Sequence, residues 1–184
     1  MNLVRVTPPD DLTHTKDEVL AHLRLDAPPP EERALLMGYL RGAIDHAESL
    51  TGRAFITQTW RLTRDAFCDE IKIPRVPLIS VDSVTYIDTA GATQTLATSV
   101  YDVDTVAGRL LLAYDQSWPS IRNWANSVSI TFTAGYGDRN AVPEAIRTAI
   151  LWLVMGEYER DPGMSEKYKA AGEARLQPYR LVSL

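Results

Sequence analysis

The spacing of apolar residues changes twice along the chain and divides it into three regimes. Residues 1–56 have helical spacing, residues 57–134 have the two-residue alternation of strands, and residues 142–178 are predicted to be helical again. No internal repeat or low-complexity tract interrupts this order. The order predicts an α+β protein in which helical segments from both ends of the chain enclose a β-rich middle.

The first regime predicts two helices separated by three consecutive prolines. Thr15 and Glu18 have the spacing of a capping box, so a short helix should begin there. The second helix, over residues 31–51, places large apolar residues on one face and polar residues such as Glu48 on the other. Gly52 is its candidate C-cap.

The middle regime predicts short strands joined by frequent turns. They are expected near residues 60–66, 71–73, 81–89, 93–96, 101–104, 109–113 and 127–134. The clearest alternation is in the last of these, where Val128, Ile130 and Phe132 alternate with serine and threonine. Such strands predict a small antiparallel sheet or barrel.

The third regime predicts two helices of opposite composition. Residues 143–158 are apolar on almost every side, so this helix must be covered on every side, and a second subunit could supply part of the cover. Residues 164–177 have few large apolar side chains, and we expect a partner to order the segment 164–184. The expected domains are a helical bundle of residues 1–56 and 140–163, a β-rich insertion of residues 57–139, and this C-terminal segment.

Composition narrows the possible functions. The formal net charge of −5 argues against a protein whose main role is to grip nucleic-acid phosphates, because that affinity depends on clustered Lys and Arg. Cys68 is the only cysteine, so an intrachain disulfide is impossible. The sequence has neither a signal-peptide pattern nor an apolar run long enough to cross a membrane, and we expect a soluble protein.

No motif predicts an active site, a metal centre or a bound cofactor. His14 and His22 are eight residues apart, which is not the spacing of two zinc ligands on one helix face. The acidic segment 102–104 lacks the later ligands of a calcium loop. The glycines of segment 135–137 lack the rest of a phosphate-binding loop and predict a tight turn. We therefore expect no enzyme and no cofactor.

Several short motifs follow one another in a fixed order. They are Ala21-His22-Leu23-Arg24-Leu25-Asp26, Leu50-Thr51-Gly52-Arg53, Ile56-Thr57-Gln58-Thr59-Trp60, Ile73-Pro74-Arg75-Val76-Pro77-Leu78, Trp118-Pro119, Phe132-Thr133-Ala134-Gly135-Tyr136-Gly137, Val142-Pro143 and Pro178-Tyr179-Arg180. The matching motifs run from about residue 13 to residue 180, nearly the whole chain, and their order resembles the head–tail connector (adaptor) family of tailed phages. That family includes the adaptors of gene transfer agents, which are phage-like particles.

The resemblance implies a structural subunit of a ring, typically of twelve copies, that docks on the portal protein. Such a ring extends the DNA channel, through which DNA passes without sequence-specific binding, and gives the tail-side stopper or terminator protein its seat. The implied location is the head–tail junction of a virion or phage-like particle, assembled in the bacterial cytoplasm. The family often inserts its C-terminal segment into portal contacts.

Large side chains in three regions are the candidate contacts. Trp118 and Trp124, before the last strand, either form a recognition surface or plug the end of the sheet, and the sequence favours neither alternative. Others lie on the apolar helix and in the C-terminal segment. The predicted oligomer or partner contacts are Trp118, Trp124, Trp152, Met155, Tyr168, Tyr179 and Arg180.

Three alternatives to an adaptor remain at this point. The first is a tail-completion or stopper protein of the same kind of particle, which would also work by binding. The second is a carbohydrate-active enzyme built on the β region, although nothing in the sequence pairs two acidic residues for that chemistry. The third is a DNA-binding regulator that uses residues 15–24 and 31–51, which the net charge disfavours.

Overall fold

The structure, a computed structural model, describes residues 2–181. The helices are α1 (Lys16–Leu23), α2 (Pro30–Thr51), α3 (Glu144–Tyr158) and α4 (Pro162–Leu176). The strands are β1 (Asn2–Thr7), β2 (Gln58–Arg64), β3 (Glu70–Lys72), β4 (Leu78–Ile87), β5 (Thr93–Thr95), β6 (Tyr101–Asp104), β7 (Arg109–Leu112) and β8 (Val128–Ala134). The protein is α+β, as the sequence predicted.

The chain divides into two compact units. The β unit consists of Met1–Asp10 and Thr57–Gly135, and the helical unit consists of Asp11–Ile56 and Tyr136–Leu184. Each unit therefore combines two stretches that are distant in sequence. Among the described residues, no helix is long and apolar enough to cross a membrane.

The β unit contains two open antiparallel sheets rather than a closed barrel within residues 2–135. The larger sheet has the order β1-β2-β8-β4-β5, and the smaller has the order β3-β7-β6. Strand β8 lies at the centre of the larger sheet, and its alternate residues Val128, Ile130 and Phe132 are completely buried. Ile130 lies opposite Leu62 of β2, which is also completely buried. The alternation predicted for this segment is thus the buried face of a central strand.

The first strand was missed, because residues 1–56 were predicted to be helical throughout. Residues 2–7 form an edge strand, and Leu3 lies opposite Leu62 of β2. Val4 and Val6 remain 51% and 44% exposed. The hydrogen-bonding partner of β1 comes from a distant part of the sequence, so a pattern confined to six residues carries little information about the pairing.

The helical unit begins as the sequence predicted. Thr15 is the N-cap of α1 and forms a complete capping box with Glu18, whose Oε2 accepts from the Thr15 backbone N at 2.6 Å. Helix α2 ends at Gly52, which has the left-handed conformation with φ of 71°. The completely or nearly completely buried core residues of α2, α3 and α4 include Leu36, Leu40, Ile146, Ile150, Val154 and Leu176.

Glu48 was assigned to the polar face of α2, and that assignment is wrong. The residue is only 2% exposed, and its Oε1 accepts a hydrogen bond from the backbone N of Phe55 at 2.7 Å. Phe55 is completely buried in the core. A buried backbone N–H requires an acceptor, and the Glu48 carboxylate supplies it where the chain leaves α2.

Helix α3 obtains its cover largely from its own chain. Its buried residues are Ile146, Ala149, Ile150, Leu153, Val154 and Gly156. Leu176 of α4 belongs to the same completely buried core cluster, together with residues of α2. A second subunit is therefore not required to cover these residues, whereas Trp152 and Met155 remain partly exposed.

Helix α4 packs on α3 through a close backbone approach at Gly172, in addition to the buried Leu176. A Cβ atom at Gly172 would lie 3.0 Å from the carbonyl O of Ala149 and 3.0 Å from Cγ of Leu153. Lys169 Nζ and Glu157 Oε1 form an ion pair at 2.9 Å. A glycine contact and an ion pair add few large apolar side chains to the helix, which is why its composition predicted a helix without support from its own chain. The ordering of residues 164–184 by a partner stays a prediction, and residues 182–184 lie outside the described residues.

We predict that Gly172→Ala destabilises the protein by about 1–3 kcal/mol, since the added methyl group overpacks the α3–α4 contact. Gly38→Ala is the matched control, because a Cβ atom at this position of α2 meets nothing within 4 Å. The control should gain about 1 kcal/mol from its better helix propensity. Urea unfolding of both variants measures the difference, and equal stabilities would contradict the packing argument.

Candidate protein interaction surfaces

The acidic and thiol groups of the β unit take part in local structure. The Asp104 carboxylate accepts hydrogen bonds from the backbone N of Ala107 at 2.8 Å and from Nε of Arg109 at 3.1 Å. Cys68 Sγ donates to the carbonyl O of Glu70 at 2.9 Å. Within residues 2–181, no group of three His, Cys, Asp or Glu side chains is placed to hold a metal ion.

His14 is buried at the start of α1. Its Nδ1 lies 3.0 Å from Oγ1 of the buried Thr13. Burial, together with the nearby Arg147 guanidinium, lowers the pKa of His14 from 6.5 to about 4. The same guanidinium donates to the carbonyl O of Thr13 and to Oε1 of Glu18, so it fastens α1 to α3. These contacts give His14 a structural role.

We predict that the pKa of His14 makes the protein lose stability in mild acid. The unfolded chain takes up this proton near pH 6.5, whereas the folded chain takes it up only near pH 4. Protonation of His14 therefore does not lower the free energy of unfolding above pH 6.5. Below that pH, the free energy of unfolding falls by up to about 3 kcal/mol as the pH drops towards 4. Urea unfolding between pH 4 and pH 7 measures this slope.

The variant His14→Gln is the control for this prediction. It removes the titrating group, so its free energy of unfolding should vary less with pH over the same window, whatever its absolute stability. Identical pH slopes for both proteins would rule out His14 as the cause.

One surface of the helical unit is a groove, which we call the α2–α4 groove. It encloses about 430 Å³. Its lining residues are Gly38, Tyr39, Gly42, Ala43, His46, Leu153, Glu157, Lys169 and Glu173. At its rim, His46 Nε2 lies 2.8 Å from Glu173 Oε1, a contact that links α2 to α4.

The floor of the groove is open because two glycines of α2 face it. Gly38 and Gly42 are four residues apart and share one face of the helix. A Cβ atom at either position would meet nothing within 4 Å. Each glycine costs about 1 kcal/mol of helix stability relative to alanine, and the described chain gives no steric reason for this cost. The four-residue spacing on a predicted helix was the sequence signal for this surface, and it was overlooked.

Three predicted contact residues, Trp152, Met155 and Tyr168, lie on α3 and α4. The rings of Trp152 and Tyr168 are 5.6 Å apart, and the guanidinium of Arg175 lies 4.9 Å from the Trp152 ring. The structure therefore brings Trp152 and Tyr168 together across the two helices, while Met155 is partly buried nearby on α3. Part of this aromatic surface remains accessible, so its contact with a partner stays a prediction.

Tyr179 and Arg180 follow α4 directly. The carbonyl O of Tyr179 accepts from Nε of Arg53 at 2.7 Å, and Leu181 N donates to the carbonyl O of Thr51. The end of the described chain is thus fastened to the end of α2. The side chain of Arg180 is exposed and donates a long hydrogen bond of 3.4 Å to Oε1 of Gln177.

Trp118 and Trp124 occupy different environments, although the same two alternatives were predicted for both from the sequence. The ring of Trp118 is stacked on Phe67 with centroids 4.6 Å apart and planes 3° from parallel. Phe67 also meets the Tyr86 ring edge-on at 6.1 Å. Trp118 is therefore part of an aromatic cluster, as expected of a residue that plugs a sheet. Trp124 is 66% exposed, which fits the alternative of a recognition surface.

The loop that carries Trp124 is held by hydrogen bonds. Arg122 N donates to the carbonyl O of Ile87, and Asn126 N donates to Oδ1 of Asp65, both at 2.9 Å. Ser127 Oγ donates to the carbonyl O of Trp124 at 2.9 Å. The Arg122 guanidinium lies 5.6 Å from the Trp124 ring. The loop therefore presents an indole and a cation together on a backbone held by hydrogen bonds. Arg122 was not among the contact residues predicted from the sequence.

Sequence comparisons gave no match, either to a protein-family model or to a curated protein. Comparison with solved structures did give matches. A chain in the "Neck of empty GTA particle computed with C6 symmetry" is 25% identical with a TM-score of 0.78, where GTA denotes a gene transfer agent. A chain in the "Virion of native gene transfer agent (GTA) particle" is 27% identical with a TM-score of 0.76.

A third chain, from the "Neck of native GTA particle computed with C12 symmetry", is 24% identical with a TM-score of 0.71 and supports the fold alone. Each of the three matches covers 100% of this chain and 97% of the other chain. The likeness thus extends over both units and not over one shared module. This chain has the fold of a structural component of gene transfer agent particles.

Proposed function

We propose that this protein is a head–tail connector (adaptor) subunit of a phage-like particle. It forms a ring on the portal protein, extends the DNA channel and provides the seat for a tail-side protein. The observation that carries the proposal is the full-length similarity to chains of gene transfer agent neck and virion structures at 25–27% identity. The sequence motifs that resemble the adaptor family lead independently to the same role.

The mechanism is assembly by binding, without catalysis. A closed ring of identical subunits requires a head-to-tail contact between two different surfaces of the same chain. The protein offers two unlike surfaces, an exposed aromatic loop on the β unit and a groove on the helical unit. A weak contact that is repeated around a ring gains strength through multivalency, so the free subunit stays soluble until the portal organises it.

The charge of the protein fits a channel through which DNA slides. The formal net charge of −5 does not favour tight binding of phosphates. A mildly negative wall would leave DNA free to move through the ring. DNA is therefore a passing partner in this proposal, whereas the portal and the tail-side protein are bound partners.

The segment after α4 is the proposed portal contact, and the fold limits how it can be tested. Leu176 is completely buried in the helical core, so a deletion that begins at residue 164 would remove core contacts and unfold α3. Surface substitution avoids this problem. Arg180 is exposed and lies beyond the core, which makes it the suitable position.

We predict that Arg180→Glu weakens binding to the purified portal by about tenfold or more, equivalent to about 1.4 kcal/mol. Arg160→Glu is the matched control, because Arg160 is also an exposed arginine of the helical unit but lies before α4. Both variants should melt like the parent protein, and the control should bind normally. Mass measurement of the protein with and without portal gives the affinity and the stoichiometry. Equal binding by the two variants would exclude Arg180 from the contact.

A tail-completion or stopper protein is the second candidate, because similarity to a chain of a particle neck does not show which component of the head–tail junction this protein is. Particles that lack this protein separate the two roles. We predict DNA-filled heads with bare portals in electron micrographs, because an adaptor is the first protein on the portal. Heads that carry a ring on the portal but lack the next component would instead favour the stopper.

A further inference from the structure

We infer that each copy of the protein inserts its Trp124 and Arg122 side chains into the α2–α4 groove of the next copy. The inference rests on the proposed function, because it names the contact between neighbouring subunits of the ring. The two surfaces lie in different units of the chain, as a head-to-tail contact between neighbouring copies of a ring requires.

The loop that carries Trp124 and Arg122 is preorganised for binding. Trp124 is 66% exposed, but the backbone around it is fixed by hydrogen bonds to Ile87 and Asp65. A rigid, exposed tryptophan loses little conformational freedom when it is buried by a partner. Tryptophan and arginine are also the side chains most often responsible for binding energy in protein interfaces.

The receiving side is open, of suitable size and not filled by the residues that the structure describes. Its volume of about 430 Å³ falls within the ~300–1,000 Å³ typical of sites that hold small organic groups. Gly38 and Gly42 leave the backbone of α2 bare at the floor, with nothing within 4 Å of either added Cβ position. Glycine on a helix face is a means of letting another group approach the backbone closely. An indole ring is such a group.

The charges of the two sides are complementary. Two glutamates, Glu157 and Glu173, line the groove together with a single lysine, Lys169. The lysine is already paired with Glu157 at 2.9 Å, whereas the one ion-pair partner of Glu173 among residues 2–181 is the neighbouring His46 at 2.8 Å. An arginine that enters with the indole finds a carboxylate at the rim. A second copy of this chain is therefore the occupant that fits both the apolar floor and the acidic rim.

Cysteine cross-linking tests the contact directly. In a Cys68→Ser background, one preparation carries Asn123→Cys beside Trp124, and the other carries Gly42→Cys in the groove. After mixing and mild oxidation we expect at least about tenfold more mixed dimer than from the control pair Val106→Cys and Gly42→Cys. Val106 is 97% exposed on the same unit as Trp124, so the control matches accessibility. Cross-linking no stronger than that of the control overturns the inference.

Two substitutions give a second measurement on the intact protein. Trp124→Ala removes the inserted ring, and Gly42→Leu fills the groove at a position where the chain has open space. We expect each to reduce ring formation on the portal at least about tenfold, while the Gly42→Leu subunit melts no lower than the parent. If Trp124→Ala forms rings normally, the inference is overturned, whereas the proposed function is unaffected. The same conclusion holds if Trp124→Ala forms rings and Gly42→Leu does not. Failure of the parent protein to form rings on the portal contradicts the proposed function instead.

Discussion

The burial of α3 is the constraint on which the helical unit depends. This helix is apolar on nearly every side, so it is stable in water only if α2 and α4 cover it. The cover from α4 requires close approach at Gly172, and it places Leu176 in the core. The C-terminal helix is consequently part of the folded unit, and the exposed Arg180 follows it.

The β unit depends in the same way on β8, the central strand of its larger sheet. With β2 and β4 bonded to its two edges, the backbone groups of β8 are satisfied and one of its faces is buried. The loop before this strand is hydrogen-bonded to Ile87 of β4 and to Asp65, which follows β2, and these bonds hold the backbone around the exposed Trp124. Rigid scaffolds that present exposed loops are a common arrangement in binding proteins.

Each unit presents one candidate binding surface. The described polar clusters have structural partners: Asp104 closes a hairpin turn, Glu48 caps the buried Phe55 backbone, and Arg147 joins α1 to α3. The exposed aromatic loop on one unit and the glycine-floored groove on the other have no such intrachain role among the described residues. A subunit that assembles into a ring needs two such surfaces, and the likeness to gene transfer agent particle chains gives them a context.

The sequence by itself determined the features that depend on neighbours along the chain. The capping box of α1, the extent of α2 up to Gly52 and the buried alternation of β8 follow from local spacing, and all were predicted. Only the tertiary structure decided the pairing of β1 with β2, the burial of Glu48, the support of α4 and the existence of the groove. Each of these depends on groups that are distant in sequence and meet only in the fold, so no local period of apolar residues records them.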